Sequence, residues 1–460
     1  MDNKYLNIDE HTLKDLEIFE TSSEIPSLFE HCNFTKTIGG TKALKRRMEK
    51  PWSDPSFIKA TQESIKFISG NRQCFKNTPT SYAIARVDHY NQEVLPLFTG
   101  EHPLEFYSGA LSLWLDTGPL YKSISRGVYV SCILIRNLRR FAEQPPLNEA
   151  VGEIKPLILK LKSILARPKI QKVPDEYVTG WFWEILRLDQ VFREYEKSSI
   201  STLLEIVYEI DALVSMADAT QQHKFNLPII TAGSLAVSAQ GIIHPFVPQA
   251  VANPVDLNQQ KRILFLTGPN MAGKTTYLRA FATSLYLAHL GMGVPADQFE
   301  FVPAHALFSS ISLNDNLHEG VSYFRAEALR VKAIAQALAK GENVVALLDE
   351  PFKGTNVKDA MDASLALLEA FSEQQDCVFI FSSHLIELSD QIDSQSIDRC
   401  YFEADEGGEL LKFDYILRKG ISNQRLGMRV LREEGVFELM NRKNIHSSIA
   451  VAVDQVRKPT

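Results

Sequence analysis

The stretch RILFLTGPNMAGKTTYLRA, residues 262–280, decides the fold of the second half of the chain. An apolar run is followed by the pattern G-x-x-x-x-G-K-[ST], with Gly268, Gly273, Lys274 and Thr275 at its fixed positions, and then by a helical pattern. Glycines let backbone N–H groups turn toward phosphate oxygens, and the start of the following helix adds a partial positive charge. The stretch therefore predicts a strand, a phosphate-binding loop and a helix. The predicted nucleotide-binding residues of this loop are Gly268, Pro269, Asn270, Met271, Ala272, Gly273, Lys274, Thr275 and Thr276.

Two further apolar runs end in polar side chains. VVALL (344–348) is followed by Asp349 and Glu350, and CVFIFSS (377–383) is followed by His384. Thr275 and Asp349 are predicted to hold Mg²⁺, which prefers hard oxygen ligands. Glu350 is predicted to orient or deprotonate an attacking water, and His384 to position that water or sense the terminal phosphate.

The spacing of apolar residues along the sequence changes near residue 223. Before it, apolar residues recur at three- and four-residue spacing, as in LILKLKSILA (157–166) and SISTLLEIVYEIDALVSMADAT (199–220). After it, short apolar runs alternate with helical patterns, which indicates a largely parallel sheet covered by helices. We therefore expect a helical domain over residues 1–223 and an α/β domain over residues 224–460.

Composition narrows the possible partners. The net charge is -7, so contact with nucleic acid must come from local basic patches. Two clusters, Lys42–Lys50 and Arg136–Arg140, fit either solvated helix faces or phosphate contacts. The five cysteines are not spaced as metal ligands, and neither an apolar leader nor a membrane-length apolar run occurs. These features predict a cytoplasmic protein with no membrane partner.

Several motifs together resemble the MutS family of DNA mismatch repair proteins. TGPNMAGKTTYLRA (267–280), DNLHEGVSYF (315–324), LLDEPFKGTN (347–356) and FSSHLIEL (381–388) are similar to the family's ATPase segments, in the family's order. YILRKGISNQRLGMRVLREEGV (415–436) resembles its closing run, and YLNIDEHTLKDLEIFE (5–20) resembles the start of its lever domain.

The resemblance implies an α-helical lever (core) domain followed by an α/β P-loop ATPase domain of the ABC/MutS type, with C-terminal dimerisation helices. It implies an ATP-dependent, nucleoid-associated DNA clamp: a homodimer that uses ATP and Mg²⁺ and binds mismatched or branched double-stranded DNA, with possible repair partner proteins. Gly320 and Ser322 of one chain would contact the nucleotide of the other. Asn270 would sense the γ-phosphate, and Val251 and Asn253 would border the adenine.

The sequence also departs from the family pattern. The mismatch-reading and connector domains of full-length members have no counterpart here, so the resemblance does not extend to direct mismatch reading. Ala250 stands where the family has an aromatic residue near the adenine. Two alternatives stay open: an ATP-switched dimerisation or scaffold module that does not bind DNA, and a transporter-type ATPase subunit. The absence of a Ser-Gly-Gly-Gln segment before VVALLDE argues against the transporter.

Overall fold

A computed structural model gives the fold. It describes residues 4–21, 25–77, 79, 81–93, 95–98, 103–116, 118–175, 181–312, 323–385, 387–391, 395–405, 411–422, 424, 426–437 and 439–440. By its internal contacts the chain divides into two compact units, with boundaries after Leu6, Leu16, Ile230, Ser284 and Val294. The first unit takes residues 17–230 and 285–294 and the described residues before Asn7, and the second takes the rest.

The elements are numbered in chain order. The helices are α1 Glu10–Asp15, α2 Leu28–Cys32, α3 Ile38–Glu49, α4 Pro55–Gly70, α5 Ser81–Gln92, α6 Pro103–Asp116, α7 Gly118–Ala142, α8 Ile154–Leu165, α9 Pro168–Gln171, α10 Phe182–Gln190, α11 Lys197–Gln222, α12 Lys274–His289, α13 Tyr323–Ala339, α14 Val357–Ser372, α15 Glu387–Gln391 and α16 Gly427–Glu433. The strands are β1 Asn7–Ile8, β2 Ile229–Ile230, β3 Val237–Ile242, β4 Asn253–Leu257, β5 Ile263–Thr267, β6 Gln298–Phe301, β7 Ala306–Ser310, β8 Val344–Asp349, β9 Val378–Ser382, β10 Ile397–Tyr401, β11 Ala404–Asp405, β12 Lys412–Phe413 and β13 Arg418–Lys419. In the part of the chain that these elements cover, no helix is both long and apolar enough to cross a bilayer.

The first unit is helical and is organised around α11. This helix packs against α3, α4, α5 and α8, and it is buried on several sides. Its Asp211 accepts hydrogen bonds from the backbone N–H groups of Lys36 and Thr37 and from the Thr37 hydroxyl, at 2.8–3.1 Å. A carboxylate at this point satisfies unpaired amides at the start of α3 and complements the helix dipole. Asp211 therefore fixes α3 against α11.

The first basic cluster is used inside this unit. Arg47 is largely buried and pairs with Glu153 at 2.7 Å and with Glu209 at 2.9 Å. Arg46 pairs with Glu209 at 2.6 Å. These two guanidinium groups stabilise helix packing, a role that neither interpretation of the cluster anticipated.

Arg139 of the second basic cluster is used in a similar way. It donates to the carbonyl oxygens of Ile170 at 2.6 Å and Val173 at 2.8 Å, and it pairs with Asp175 at 2.5 Å. Arg136 donates to the Asp175 carbonyl at 3.3 Å. Both arginines thereby hold the end of α9 and the turn after it against α7.

The second unit is a mixed α/β domain. Its main sheet has the strand order β1-β7-β8-β9-β5-β10-β13. Neighbouring strands from β1 to β10 are parallel, and β13 is antiparallel to β10. Strands β5, β7, β8 and β9 are buried at every position, as is usual in a parallel sheet covered on both faces. The carboxyl ends of β5, β8 and β9 lie side by side, which brings the segments after these strands together.

An N-terminal segment, β1 with α1, is built into this second unit. Asp15 is buried and accepts hydrogen bonds from the Ser309 hydroxyl at 2.7 Å, from the Ile311 N–H at 2.8 Å and from the Ser312 N–H at 2.9 Å. Arg330 of α13 donates to the Ser309 carbonyl at 2.8 Å and to the Thr12 hydroxyl at 2.6 Å. The segment therefore fastens the end of β7 and also contacts α13.

Candidate nucleotide-binding site

The loop between β5 and α12 has an unusual backbone. Gly268, Met271 and Gly273 have φ of 141°, 73° and 101°. At Gly268 an added Cβ would lie 2.6 Å from the Phe402 carbonyl oxygen. Only glycine fits there, because it tolerates both the positive φ and the close approach of Phe402, the residue after β10.

Lys274 begins α12 and is buried at 5% exposure. Its Nζ donates to the Gly268 carbonyl at 2.7 Å and to the Pro269 carbonyl at 3.3 Å, and it lies 3.4 Å from Glu350 Oε1. A buried ammonium needs such partners, because its desolvation is costly. The Lys274 ammonium group therefore lies under the loop and adds a full positive charge at the N-terminus of a 16-residue helix.

Asp349 ends β8 and meets the loop directly. Its Oδ2 accepts a hydrogen bond from the Thr275 hydroxyl at 2.6 Å, and its Oδ1 accepts one from the Ser382 hydroxyl at 2.6 Å. Ser382 is the last residue of β9. The ends of two adjacent strands, β8 and β9, and the start of α12 therefore contribute to one polar cluster of hydroxyl and carboxylate oxygens.

Glu350 follows in a left-handed backbone conformation, with φ of 50°, and its N–H donates to the Ser382 carbonyl at 2.9 Å. Its carboxylate lies 3.7 Å from His384 Nδ1, 2.8 Å from Lys353 Nζ and 3.4 Å from Lys274 Nζ. The contact with His384, supported by the two lysines, holds the pKa of Glu350 far below its ordinary value even though burial acts in the opposite direction. The carboxylate is therefore ionised at neutral pH.

A cavity of about 690 Å³ opens over these groups. This volume suits a small-molecule ligand. The predicted site residues that line it are Val251, Asn253, Pro269, Asn270, Met271, Gly273, Lys274, Thr275, Thr276, Asp349 and Glu350. Lys353, Phe402 and Tyr415 also line it, as does the segment from His244 to Ala250.

The other predicted residues lie differently. Gly268 packs against Phe402, and Ala272 is buried at 1% exposure. His384 reaches the cavity only through Glu350. Gly320 and Ser322 lie outside the described residues.

Asn253 uses its side chain to hold the backbone of residues 415–417 beside the cavity. Its amide donates to the Tyr415 carbonyl at 2.9 Å and accepts from the Leu417 N–H at 2.7 Å. Asn253 is only 6% exposed, and most of its side-chain hydrogen bonds are made with the backbone of residues 415–417. It therefore positions Tyr415, whose ring is 44% exposed beside the cavity.

Three site residues escaped the sequence reasoning: Ser382, Lys353 and Tyr415. The serine pair before His384 and the lysine three residues after Glu350 were visible signals, since each follows a strand end already assigned to the site. Tyr415 gave no such signal, because it lies 147 residues beyond Gly268 and reaches the cavity only through the fold.

The fold is a mixed α/β domain with a cavity at the carboxyl edge of its parallel strands. Residues 264–448 match the family model of MutS domain V. Over these residues the chain matches a MutS domain V, and the MutS resemblance drawn from its ATPase motifs is confirmed there.

Proposed function

We propose that this chain is a P-loop ATPase that binds ATP in the 690 Å³ cavity, hydrolyses it, and couples the cycle to DNA binding. The convergence of Lys274, Thr275, Asp349, Glu350 and His384 at the ends of three adjacent parallel strands carries the proposal. The MutS domain V match supports it, because this is the ATPase domain of that family.

The cavity suggests how the nucleotide is oriented. The triphosphate is placed along the 268–275 loop, where backbone amides, the start of α12 and Lys274 favour negative charge. The base is then directed toward Val251 and Tyr415, which also line the cavity. The Tyr415 ring offers the base a stacking surface. It takes the place of the aromatic residue that the family has at the position of Ala250.

The residues present fit Mg²⁺. Thr275 Oγ1 and Asp349 Oδ2 are hard oxygen atoms 2.6 Å apart, and Ser382 fixes the other carboxylate oxygen. Thr275 and Asp349 would hold the ion, which supplies neutralisation of phosphate charge when bound.

Glu350 acts on the attacking water. A carboxylate whose pKa is held this low is a weak general base, so orienting the water by accepting its hydrogen bond is the stronger contribution. His384 holds Glu350 in place and adds positive charge on that side of the cavity when protonated.

The larger assembly belongs to the same proposal. Two chains form a homodimer in which Gly320 and Ser322 of one chain complete the nucleotide site of the other. The dimer acts as a clamp on double-stranded DNA, mismatched or branched, and serves repair partner proteins. The MutS match and the motif resemblance support this step.

Substitution of Lys274 tests the proposed activity. The wild-type chain is expected to bind a fluorescent ATP analogue and to release phosphate with Mg²⁺ present. Lys274→Ala should weaken nucleotide binding by at least 10²-fold, because it removes a buried ammonium from the phosphates. Lys340→Ala, at an exposed position after α13, is the matched control. Equal affinity of the Lys274→Ala and wild-type chains would overturn the proposal.

A further inference from the structure

A second charged surface lies on the first unit. Residues 154–174 contain six basic residues and no acidic residue, although the whole chain has a net charge of -7. The six are Lys155, Lys160, Lys162, Arg167, Lys169 and Lys172. We call this α8–α9 segment the basic face.

Helix α8 presents its lysines outward. Its buried residues are Ile154, Ile158, Leu161, Ile164 and Leu165, and α8 packs against α7 and α11. Lys155 and Lys160 are exposed, and Lys155 and Lys162 are two turns apart on one side of the helix, about 10 Å along its axis. Lys155 and Lys162 therefore lie on one flank of the exposed side of α8, and Lys160 lies on the other flank, about 140° around the helix axis.

Most of these charges lack an acidic partner. Within the part of the chain that the structure describes, Lys155, Lys160 and Lys172 form no ion pair, and Lys162 donates to the neutral Asn148 amide oxygen at 2.7 Å. Lys169 lies 3.3 Å from the centre of the Tyr195 ring, which is 51% exposed. Arg167 alone is paired, with Glu196 at 3.0 Å. This contrasts with Arg46, Arg47 and Arg139, whose charges are satisfied internally.

We propose that the basic face binds the phosphate backbone of duplex nucleic acid. The inference deepens the DNA-binding part of the proposed function and does not depend on ATP hydrolysis. A surface with several exposed, unpaired cations and no acidic residue attracts the closely spaced phosphates of a duplex, and binding gains affinity from counterion release. An anionic membrane is the weaker partner, because Leu159 is the large apolar side chain exposed on α8 and a membrane-binding helix needs a broad apolar face.

The experiment removes three unpaired charges and compares them with three matched charges elsewhere. The test variant is Lys155→Gln, Lys160→Gln and Lys172→Gln together. The control is Lys59→Gln, Lys66→Gln and Lys76→Gln, which are also exposed lysines of the first unit and change the net charge equally. Binding of a fluorescent 40-base-pair duplex to the full chain is measured by anisotropy from 25 to 200 mM salt, with no nucleotide added.

The wild-type and control chains should show the same dependence of affinity on salt. The test variant should bind about tenfold more weakly at 100 mM salt, and the slope of log Kd against log salt should fall by about 2 to 3. An unchanged slope in the test variant, an equal loss in the control, or a wild-type chain that binds anionic vesicles but not the duplex would each overturn the inference. Basal ATP turnover of the same variants separates the two proposals. Loss of DNA binding with normal turnover in the test variant supports DNA binding by the basic face. A wild-type chain without turnover refutes only the proposed ATPase activity.

Discussion

At the scale of single residues, Glu350 combines two features, each of which costs free energy of folding. A non-glycine residue with φ of 50° is strained, and a carboxylate surrounded by His384, Lys353 and Lys274 is withdrawn from water. Both are maintained by the surrounding hydrogen bonds. Such a residue is a candidate for chemistry, because strain and perturbed pKa values concentrate at functional sites.

Glu350→Gln should lower the turnover of ATP by 10²-fold or more, because the amide loses the charge that orients the water. Nucleotide affinity should change little, since Lys274 and Thr275 are untouched. Single-turnover phosphate release and analogue binding measure the two effects separately. Glu373→Gln, at an exposed position after α14, is the control. Turnover near the wild-type rate in Glu350→Gln would remove this residue from the mechanism.

Tyr415→Ala should raise the KM for ATP by about 5- to 100-fold, because stacking a base on an aromatic ring contributes about 1–3 kcal/mol. Tyr415→Phe keeps the ring and should keep the KM. Steady-state kinetics on both variants checks this. If the Phe variant is as weak as the Ala variant, the ring does not serve as the stacking surface.

The residue scale also shows how far the sequence could predict the site. Gly268, Lys274, Thr275, Asp349 and Glu350 follow from local patterns, because a loop between a strand and a helix has a fixed geometry. The partners of Glu350 and Asp349 did not follow from any single pattern. Ser382 meets Asp349 because β8 and β9 pair in register, and register is not written in either strand alone.

At the scale of elements, α3 approaches α11 closely at Gly40. A Cβ at Gly40 would lie 2.1 Å from Asp211 Oδ2. The alternation of helical patterns predicted these helices, but the closeness of their approach depends on one small residue facing one carboxylate. Such pairs are set by tertiary packing, which periodicity does not reveal.

Gly40→Ala should lower the free energy of unfolding by about 1–3 kcal/mol, since the methyl group must displace Asp211 from the start of α3. Gly70→Ala, at the end of α4, has nothing within 4 Å of the added Cβ and should be neutral or stabilising. Urea unfolding of both variants provides the comparison. A Gly40→Ala chain as stable as wild type would show that α3 can shift freely.

The His31 and His223 rings stack at 3.6 Å between α2 and the end of α11, and the His223 Nε2–H donates to the His31 carbonyl at 2.8 Å. Burial, together with the neighbouring His223, lowers the pKa of His31 to about 4. Between about pH 6.5 and pH 4 the unfolded chain takes up a proton at His31 that the folded chain does not, so folding stability should fall as pH decreases through this window.

The expected loss at His31 is on the order of 1–2 kcal/mol, reduced by the partial exposure of the ring. His31→Gln should flatten the difference between unfolding free energies at pH 7.5 and pH 5. Identical pH dependence in wild type and His31→Gln would contradict the assignment.

At the scale of the whole molecule, the proposed shared site predicts complementation between inactive chains. Lys274→Ala and Ser322→Ala should each hydrolyse ATP poorly as homodimers. A mixed dimer keeps one complete site, made from Lys274 of one chain and Ser322 of the other, and should recover up to half of the wild-type turnover per mixed dimer. Phosphate release after subunit exchange, confirmed with a size tag, measures this. Confirmed exchange without recovery would argue against a shared site.

The pattern of apolar residues predicted a single boundary between two domains near residue 223. The compact units instead alternate, because residues 7–16 enter the second unit and residues 285–294 return to the first. Short segments such as β1 with two residues carry no periodicity of their own. Their place is decided by long-range pairing, here between β1 and β7.

This interleaving limits how the protein can be dissected. A fragment that starts at residue 231 would contain the 268–275 loop but would lack β1 and the Asp15 carboxylate that binds the end of β7. Its sheet would then finish in an open edge, where unpaired amides invite strands from other molecules. To isolate the second unit, residues 7–16 should therefore be supplied as a fused or added peptide. A single cut in the gene cannot separate this unit intact, and neither can the exchange of one continuous segment.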